Sequence, residues 1–220
     1  GSDMSIPHNL GVAPEMILFR EIDGSGSWFF YHKYNRLNAN TAPEDSAMNM
    51  NGFNDAYSTT MWNSTAPTTN HFFVSGDSTS YNEFGQKYVA YCFASKQGFS
   101  KCGNYQGNGN NNGATVFTGF PPGFLLIKLS YGYTTGRWCI YDSKRGQSGA
   151  NTAAGKGTAN IFADYPQNGE SEADAVDFLA TGFKIRTATN NTNRNLATII
   201  YYAIADTPLV GTNNVPSTAV

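Results

Sequence analysis

The sequence predicts an all-β fold: a β-sandwich, jelly-roll or concanavalin-like, built from two diverged repeats with pseudo-twofold symmetry. Composition is the first ground, because only 14% of the 220 residues are charged, about half the usual share, while aromatics also reach 14% and glycine numbers 23. Long amphipathic helices need more Leu, Glu, Lys and Arg than this chain carries. The second ground is periodicity: apolar runs are short, several alternate with period two, and Gly, Ser, Thr and Asn clusters bound them. The third is an internal repeat of a roughly 110-residue unit.

Three blocks recur in the same order. Leu10-Gly11-Val12-Ala13-Pro14-Glu15-Met16-Ile17-Leu18-Phe19-Arg20 returns as Thr118-Gly119-Phe120-Pro121-Pro122-Gly123-Phe124-Leu125-Leu126-Ile127-Lys128. Pro suits a strand entrance, where its missing N–H is not needed by the ladder. The continuous apolar runs Met16–Phe19 and Phe124–Ile127 predict strands covered on both faces. Next, Gly26-Ser27-Trp28-Phe29-Phe30-Tyr31 returns as Gly136-Arg137-Trp138-Cys139-Ile140-Tyr141, so the turns at 23–27 and 131–136 each close a hairpin. Trp28 and Trp138, as repeat equivalents, are expected in the core. Finally, Tyr88-Val89-Ala90-Tyr91-Cys92-Phe93-Ala94 matches Ile199-Ile200-Tyr201-Tyr202-Ala203-Ile204-Ala205, preceded by Phe72–Gly76 in one copy and Phe178–Gly182 in the other. Phe183, Ile185 and Thr187 alternate with Lys184 and Arg186, which predicts a strand with one wet face.

These blocks set the organisation. Residues 1–5 read as a tag outside the fold, since Gly1-Ser2-Asp3 before Met4 has the form of a cloning remnant. The first repeat spans 6–103, a Gly/Asn-rich inter-repeat turn 104–113, the second repeat 114–209 and a tail 210–220, with the two repeats expected to form one domain. The stretch Gly107 to Gly113 is expected to be a long flexible turn. Segments 35–67 and 146–173 are long, polar and poorly periodic, and loops so placed are where β scaffolds carry binding function.

Several function classes fall away. Fourteen basic against sixteen acidic residues give a net charge of −2 and no field to gather phosphates, so no nucleic acid is expected. No run approaches the ~18 apolar residues of a bilayer crossing, and no membrane insertion is expected. Cys92, Cys102 and Cys139 cannot all pair and form no CxxC, and His8, His32 and His71 have no ligand spacing, so no metal and no cofactor are expected. Gly107 to Gly113 lacks the Lys-Ser/Thr of a phosphate loop. Glu21-Ile22-Asp23 is a two-carboxylate fragment that runs straight into a Gly turn, which leaves no third acid in register. Glu170, Glu172 and Asp174 alternate like the acids of some sandwich-fold glycosidases, but nothing β-branched or aromatic holds that stretch as a strand. No catalytic residue is assigned.

What remains is aromatic and amide surface. Tyr31 with Tyr34, Trp62 with Asn63, and Tyr131 with Tyr133 are the candidate ligand-binding residues, because aromatic faces flanked by amides grip sugar rings. Trp62 has no repeat partner and is the foremost candidate for a surface role.

The Gly11-Val12-Ala13-Pro14 entrance, the Gly-x-Trp-x-x-Tyr element, Tyr88–Ala94 and the Gly119-Phe120-Pro121-Pro122 return resemble a family of virion structural proteins of marine tailed bacteriophages. Similar repeats recur there in tail-fibre and other virion-surface polypeptides. The likeness covers most of residues 6 to 208, strong in the strand blocks and weak in 35–67 and 146–173. It implies a non-enzymatic module of the particle surface, homo-oligomeric as fibres commonly are, with other virion proteins as partners and host-surface glycan as a candidate ligand. Two alternatives stand beside it: a β-sandwich polysaccharide depolymerase using Glu170, Glu172 or Asp174, and a purely architectural capsid or tail component.

Overall fold

The structure, a computed structural model, describes residues 2–52, 54–76, 80–132, 135–144, 156–157, 161–162 and 175–208. Among the described residues it is all-β, with antiparallel sheets throughout, a 3-10 turn at Pro43–Asp45 and one α-helical turn, α1 (Asn190–Asn193). The chain divides into two compact units, residues 1–94 and 95–220.

Unit 1 contains β1 (Met4–Pro7), β2 (Met16–Glu21), β3 (Phe29–His32), β4 (Ser46–Asn49), β5 (Tyr57–Ser58), β6 (His71–Val74) and β7 (Tyr88–Phe93). Its main sheet has the order β5-β4-β3-β2-β7, and β1 pairs β6 as a separate ribbon. Ile17, Phe19, Phe29 and Tyr31 pack from one sheet face against Met61, Trp62, Phe72 and Val74. Met16, Phe30 and Met48, on the opposite face, are buried too. That double coverage is why β2 reads as a continuous apolar run.

Unit 2 contains β8 (Ser100–Gln106), β9 (Thr115–Phe117), β10 (Pro122–Tyr131), β11 (Cys139–Asp142), β12 (Lys156–Gly157), β13 (Ile161–Phe162), β14 (Val176–Leu179), β15 (Gly182–Ile185) and β16 (Thr198–Ala205). One sheet runs β13-β11-β10-β16-β8 and the other β12-β14-β15-β9. Leu125, Ile127, Tyr141, Phe183, Ile185 and Tyr201 form its core. In β15, Phe183 and Ile185 are buried while Lys184 is half-exposed, the alternation expected of a strand with one wet face.

The matched sequence blocks hold matching places in the two sheets. Ile17 pairs Tyr31 on one side and Cys92 on the other. Leu125, the eighth residue of its block as Ile17 is of its own, pairs Tyr141 and Ala203. The base closing each block lies over the tryptophan of its hairpin: Arg20 is 5.3 Å from the Trp28 ring centroid, and the Lys128 ammonium 5.6 Å from that of Trp138. Trp138 and Lys128 are buried, and the Lys128 ammonium donates to the Gly136 carbonyl. Trp28 differs: it is half-buried and stacks on the exposed Tyr91.

Four expectations need correction. Of the residues expected to be a tag, 2–5 are part of the fold, because Met4 pairs Val74 in β1, Asp3 Oδ1 accepts from the Gly76 amide at 2.8 Å, and the Ser2 carbonyl accepts from Asn82 Nδ2 at 2.9 Å. The counterpart of β6 by sheet position is β15, not the Phe178–Gly182 block, since β6 pairs β1 and β15 pairs β9, each the strand just before the central hairpin. The stretch 35–67, expected as a long, poorly periodic loop, supplies β4 and β5. Residues 104–106 belong to β8, which pairs β16 inside unit 2, and 107–113 are pinned by hydrogen bonds. There the buried Asn193 donates from Nδ2 to Asn108 Oδ1 (3.0 Å), the Asn110 carbonyl (2.7 Å) and the Thr187 carbonyl (2.7 Å), and its Oδ1 accepts from the Asn108 amide (2.9 Å).

Candidate functional site

The six expected ligand-binding residues do not converge on a surface. Tyr31 and Trp62 meet, ring centroids 5.6 Å apart and edge to face, but they meet in the unit 1 core, exposed by only 3% and 2%. Burial pushes the Tyr31 hydroxyl well above its ordinary pKa, with the Glu44 carboxylate adding to the effect. Neither ring can offer a face to a sugar. The cause is local: the Thr60–Thr65 turn, with Asn63 and Ser64 at positive φ (54° and 43°), folds the indole inward. The Trp62 N–H finds no acceptor there. Asn63 lines a shallow depression of about 470 Å³ with Thr60, Ser64 and Gly76. Tyr34 is half-buried beneath the Lys33 ammonium, 5.0 Å from its ring centroid. Tyr131 is exposed at the end of β10, in the other unit. Tyr133, like Glu170, Glu172 and Asp174, lies outside the described residues.

A different set does converge. At the end of the unit 1 main sheet a cavity of about 630 Å³ is lined by Glu21, Ser25, Ser27, Phe29, Asn49, Tyr57, Thr59, Ser80 and Tyr81, a size within the usual range of small-molecule sites. Sheet geometry assembles it. Glu21 is the last residue of β2 and Phe29 the first of β3, so the 22–28 turn brings both to one rim. Phe29 pairs Asn49 across the ladder, and β5 then sets Tyr57 beside it. The Tyr57 hydroxyl donates to Asn49 Oδ1 at 2.9 Å, orienting the amide. The Tyr81 ring meets Phe29 edge to face at 5.7 Å. Burial, with Tyr81 contributing, pushes the Tyr57 hydroxyl up to about 12, so it stays a proton donor at any physiological pH.

The wall is therefore aromatic, the rim carries hydroxyls and one oriented amide, and a single carboxylate stands among them. Glu21 forms no ion pair among the described residues. A Cβ on Gly24 would run into that carboxylate, so the turn beneath it is shaped to receive it. This chemistry suits a neutral or cationic polyhydroxylated ligand and disfavours an anion. Among the described residues no cluster of His, Cys, Asp and Glu could hold a metal ion, and no helix is long and apolar enough to cross a membrane. Sequence reading missed this site because Glu21, Asn49, Tyr57 and Tyr81 sit on four separate segments. The one available signal was that Tyr57 and Tyr81, set among Ser, Thr and Asn, fall outside the repeated blocks.

Neither a curated protein nor a solved structure matches the chain. One family model does, over residues 1–208, and the chain accordingly belongs to the family described as Domain of unknown function (DUF7483).

Proposed function

We propose that this chain is a non-catalytic module of a virion surface, a tail fibre or related appendage, whose unit 1 cavity binds host-surface saccharide. The carrying observation is the cavity itself: an aromatic wall of Phe29, Tyr57 and Tyr81 facing an oriented Asn49 amide, serine and threonine hydroxyls and the Glu21 carboxylate. Sugar C–H faces pack on such rings and sugar hydroxyls bond to such a rim. A single carboxylate favours holding a saccharide over cleaving it, since glycoside hydrolysis ordinarily takes two. The virion setting draws on the sequence resemblance and on a low-charge, Gly/Asn/Thr-rich β chain suited to a particle outside a cell.

The test is a glycan array of neutral, amino and acidic saccharides, followed by titration of the best binder. Neutral or amino sugars are expected to bind and acidic ones not to. Tyr57→Phe, which frees the Asn49 amide, and Glu21→Gln are each expected to weaken binding by roughly ten-fold. An array with no binder, or a binder indifferent to both substitutions, overturns the proposal, as does release of reducing sugar during the titration.

A further inference from the structure

The main sheets of the two units match strand for strand around their central hairpins, yet differ at one edge. In unit 2 the strand order continues past β16 to β8; in unit 1 it stops at β7. β8 pairs β16 along its whole length, from Ser100 opposite Ile204 to Gln106 opposite Thr198. β7, the sequence counterpart of β16, pairs only β2 among the described strands.

Among the described residues no strand pairs the outer edge of β7. The Ile22 amide donates to the Lys87 carbonyl at 2.8 Å, so the odd-numbered residues of β7 turn their N–H and C=O toward β2, and those of Tyr88, Ala90 and Cys92 point outward. In unit 2 the equivalent residues are Ile199, Tyr201 and Ala203, opposite Tyr105, Gly103 and Lys101 of β8. Beside the β7 edge runs a groove of about 420 Å³ lined by Ile6, Phe19, Phe72, Tyr88, Ala90 and Cys92, among others. In unit 2, β8 itself covers the corresponding edge: Tyr105 packs edge to face on Phe183 at 6.0 Å, and its hydroxyl donates to the Thr192 carbonyl at 2.6 Å.

We propose that the β7 edge and its groove are a strand-addition site, occupied by an extended segment of another polypeptide that pairs antiparallel with Tyr88–Phe93 as β8 pairs with β16. Main-chain bonds to Ala90 and Cys92 give the affinity and the groove gives the selectivity. The structure also states what that selectivity is. Opposite Tyr201, β8 must carry glycine, because a Cβ on Gly103 would enter the Tyr201 ring. Opposite Ala90 the ring is missing and the groove is open, so the added strand carries a large apolar residue there. The two edges thus demand opposite residues at one register position, and a strand suited to β7 is excluded from β16.

The probe is a synthetic peptide with the sequence of residues 98–107, Cys102 replaced by Ser and Gly103 by Leu, added to the full chain. The readout is alkylation of Cys92, which lines the groove and is half-buried, whereas Cys102 and Cys139 are buried. Saturating Leu peptide is expected to slow Cys92 alkylation by roughly ten-fold or more, and the Gly103 peptide to do so less. N-methylation of the peptide at the Leu, whose N–H faces Ala90, is expected to abolish protection; N-methylation at the next residue, whose N–H faces away, is expected to leave it intact. Because these arms use the unaltered protein, misfolding of a variant cannot mimic the result. Equal protection by a scrambled peptide, insensitivity to the N-methyl position, or a peptide-insensitive dimer that pairs β7 with β7 of a second copy each overturns the proposal.

Discussion

Replacing Asn193 with Ala probes the polar knot that holds the 107–113 loop. The side chain is fully buried, with four contacts: three acceptors around Nδ2, at 2.7, 2.7 and 3.0 Å, and one donor to Oδ1 at 2.9 Å. Two Nδ2 hydrogens cannot fully satisfy three acceptors, so the loss is about three full hydrogen bonds, each contributing ~0.5–1.5 kcal/mol net. With some relaxation and water entry, Asn193→Ala is expected to destabilise unit 2 by about 3 kcal/mol. Asn193→Asp keeps the acceptor for the Asn108 amide but turns a second oxygen toward three oxygens. It is expected to cost at least as much at neutral pH. The assay is urea unfolding together with amide exchange at Asn108, whose partner is lost in the Ala variant and kept in the Asp variant. A cost below about 1 kcal/mol, or an Asp variant as stable as the parent, would refute the view that this amide organises the loop.

The two repeat-equivalent tryptophans are expected to separate in urea unfolding. Trp138→Ala removes a fully buried ring and the seat of the Lys128 ammonium, at about 3–5 kcal/mol, whereas Trp28→Ala removes a half-buried ring stacked on exposed Tyr91, at about 1–2 kcal/mol; equal costs would contradict the difference in burial. The Asp206 carboxyl is held below its ordinary 3.8 by hydrogen bonds from Ser143 and Lys144. A lowered folded-state pKa contributes stability that is complete above 3.8 and is lost as pH falls through the lowered value. Asp206→Asn is therefore expected to flatten the acid limb of the stability profile by lowering the plateau above 3.8 slightly while leaving the most acidic end unchanged, read as urea midpoint against pH.

The central hairpins were legible because their signals are local. A Pro entrance, an apolar run, a Gly-rich turn and a Trp at fixed spacing specify strand, turn and strand; that the third block then pairs the first, Ile17 with Cys92 and Leu125 with Ala203, is seen only in the structure. What escaped was decided at long range. Met4–Pro7 reads as a strand only once His71–Val74 is beside it. Trp62, lacking a repeat partner, looked like a surface residue, but the positive-φ turn at Asn63 and Ser64 places it between Phe19 and Tyr31. The Gly/Asn-rich stretch looked loose because its organiser, Asn193, lies far along the chain. The cavity drew on four segments, none carrying a motif of its own.

The long span between Asn193 and the loop it ties bears on how the molecule comes into being on the ribosome. β10 gains its inner neighbour, β16, only with the last described strand, and β8 waits beside an absent partner until that strand arrives. Unit 1 closes within its own first 94 residues and can condense while the remainder is still being translated. Unit 2 must stay unzipped to the end, with apolar β10 uncovered, and such late closure is slow and prone to aggregation. Truncations between residues 110 and 195 should therefore yield soluble unit 1 tailed by a sticky, protease-sensitive remainder.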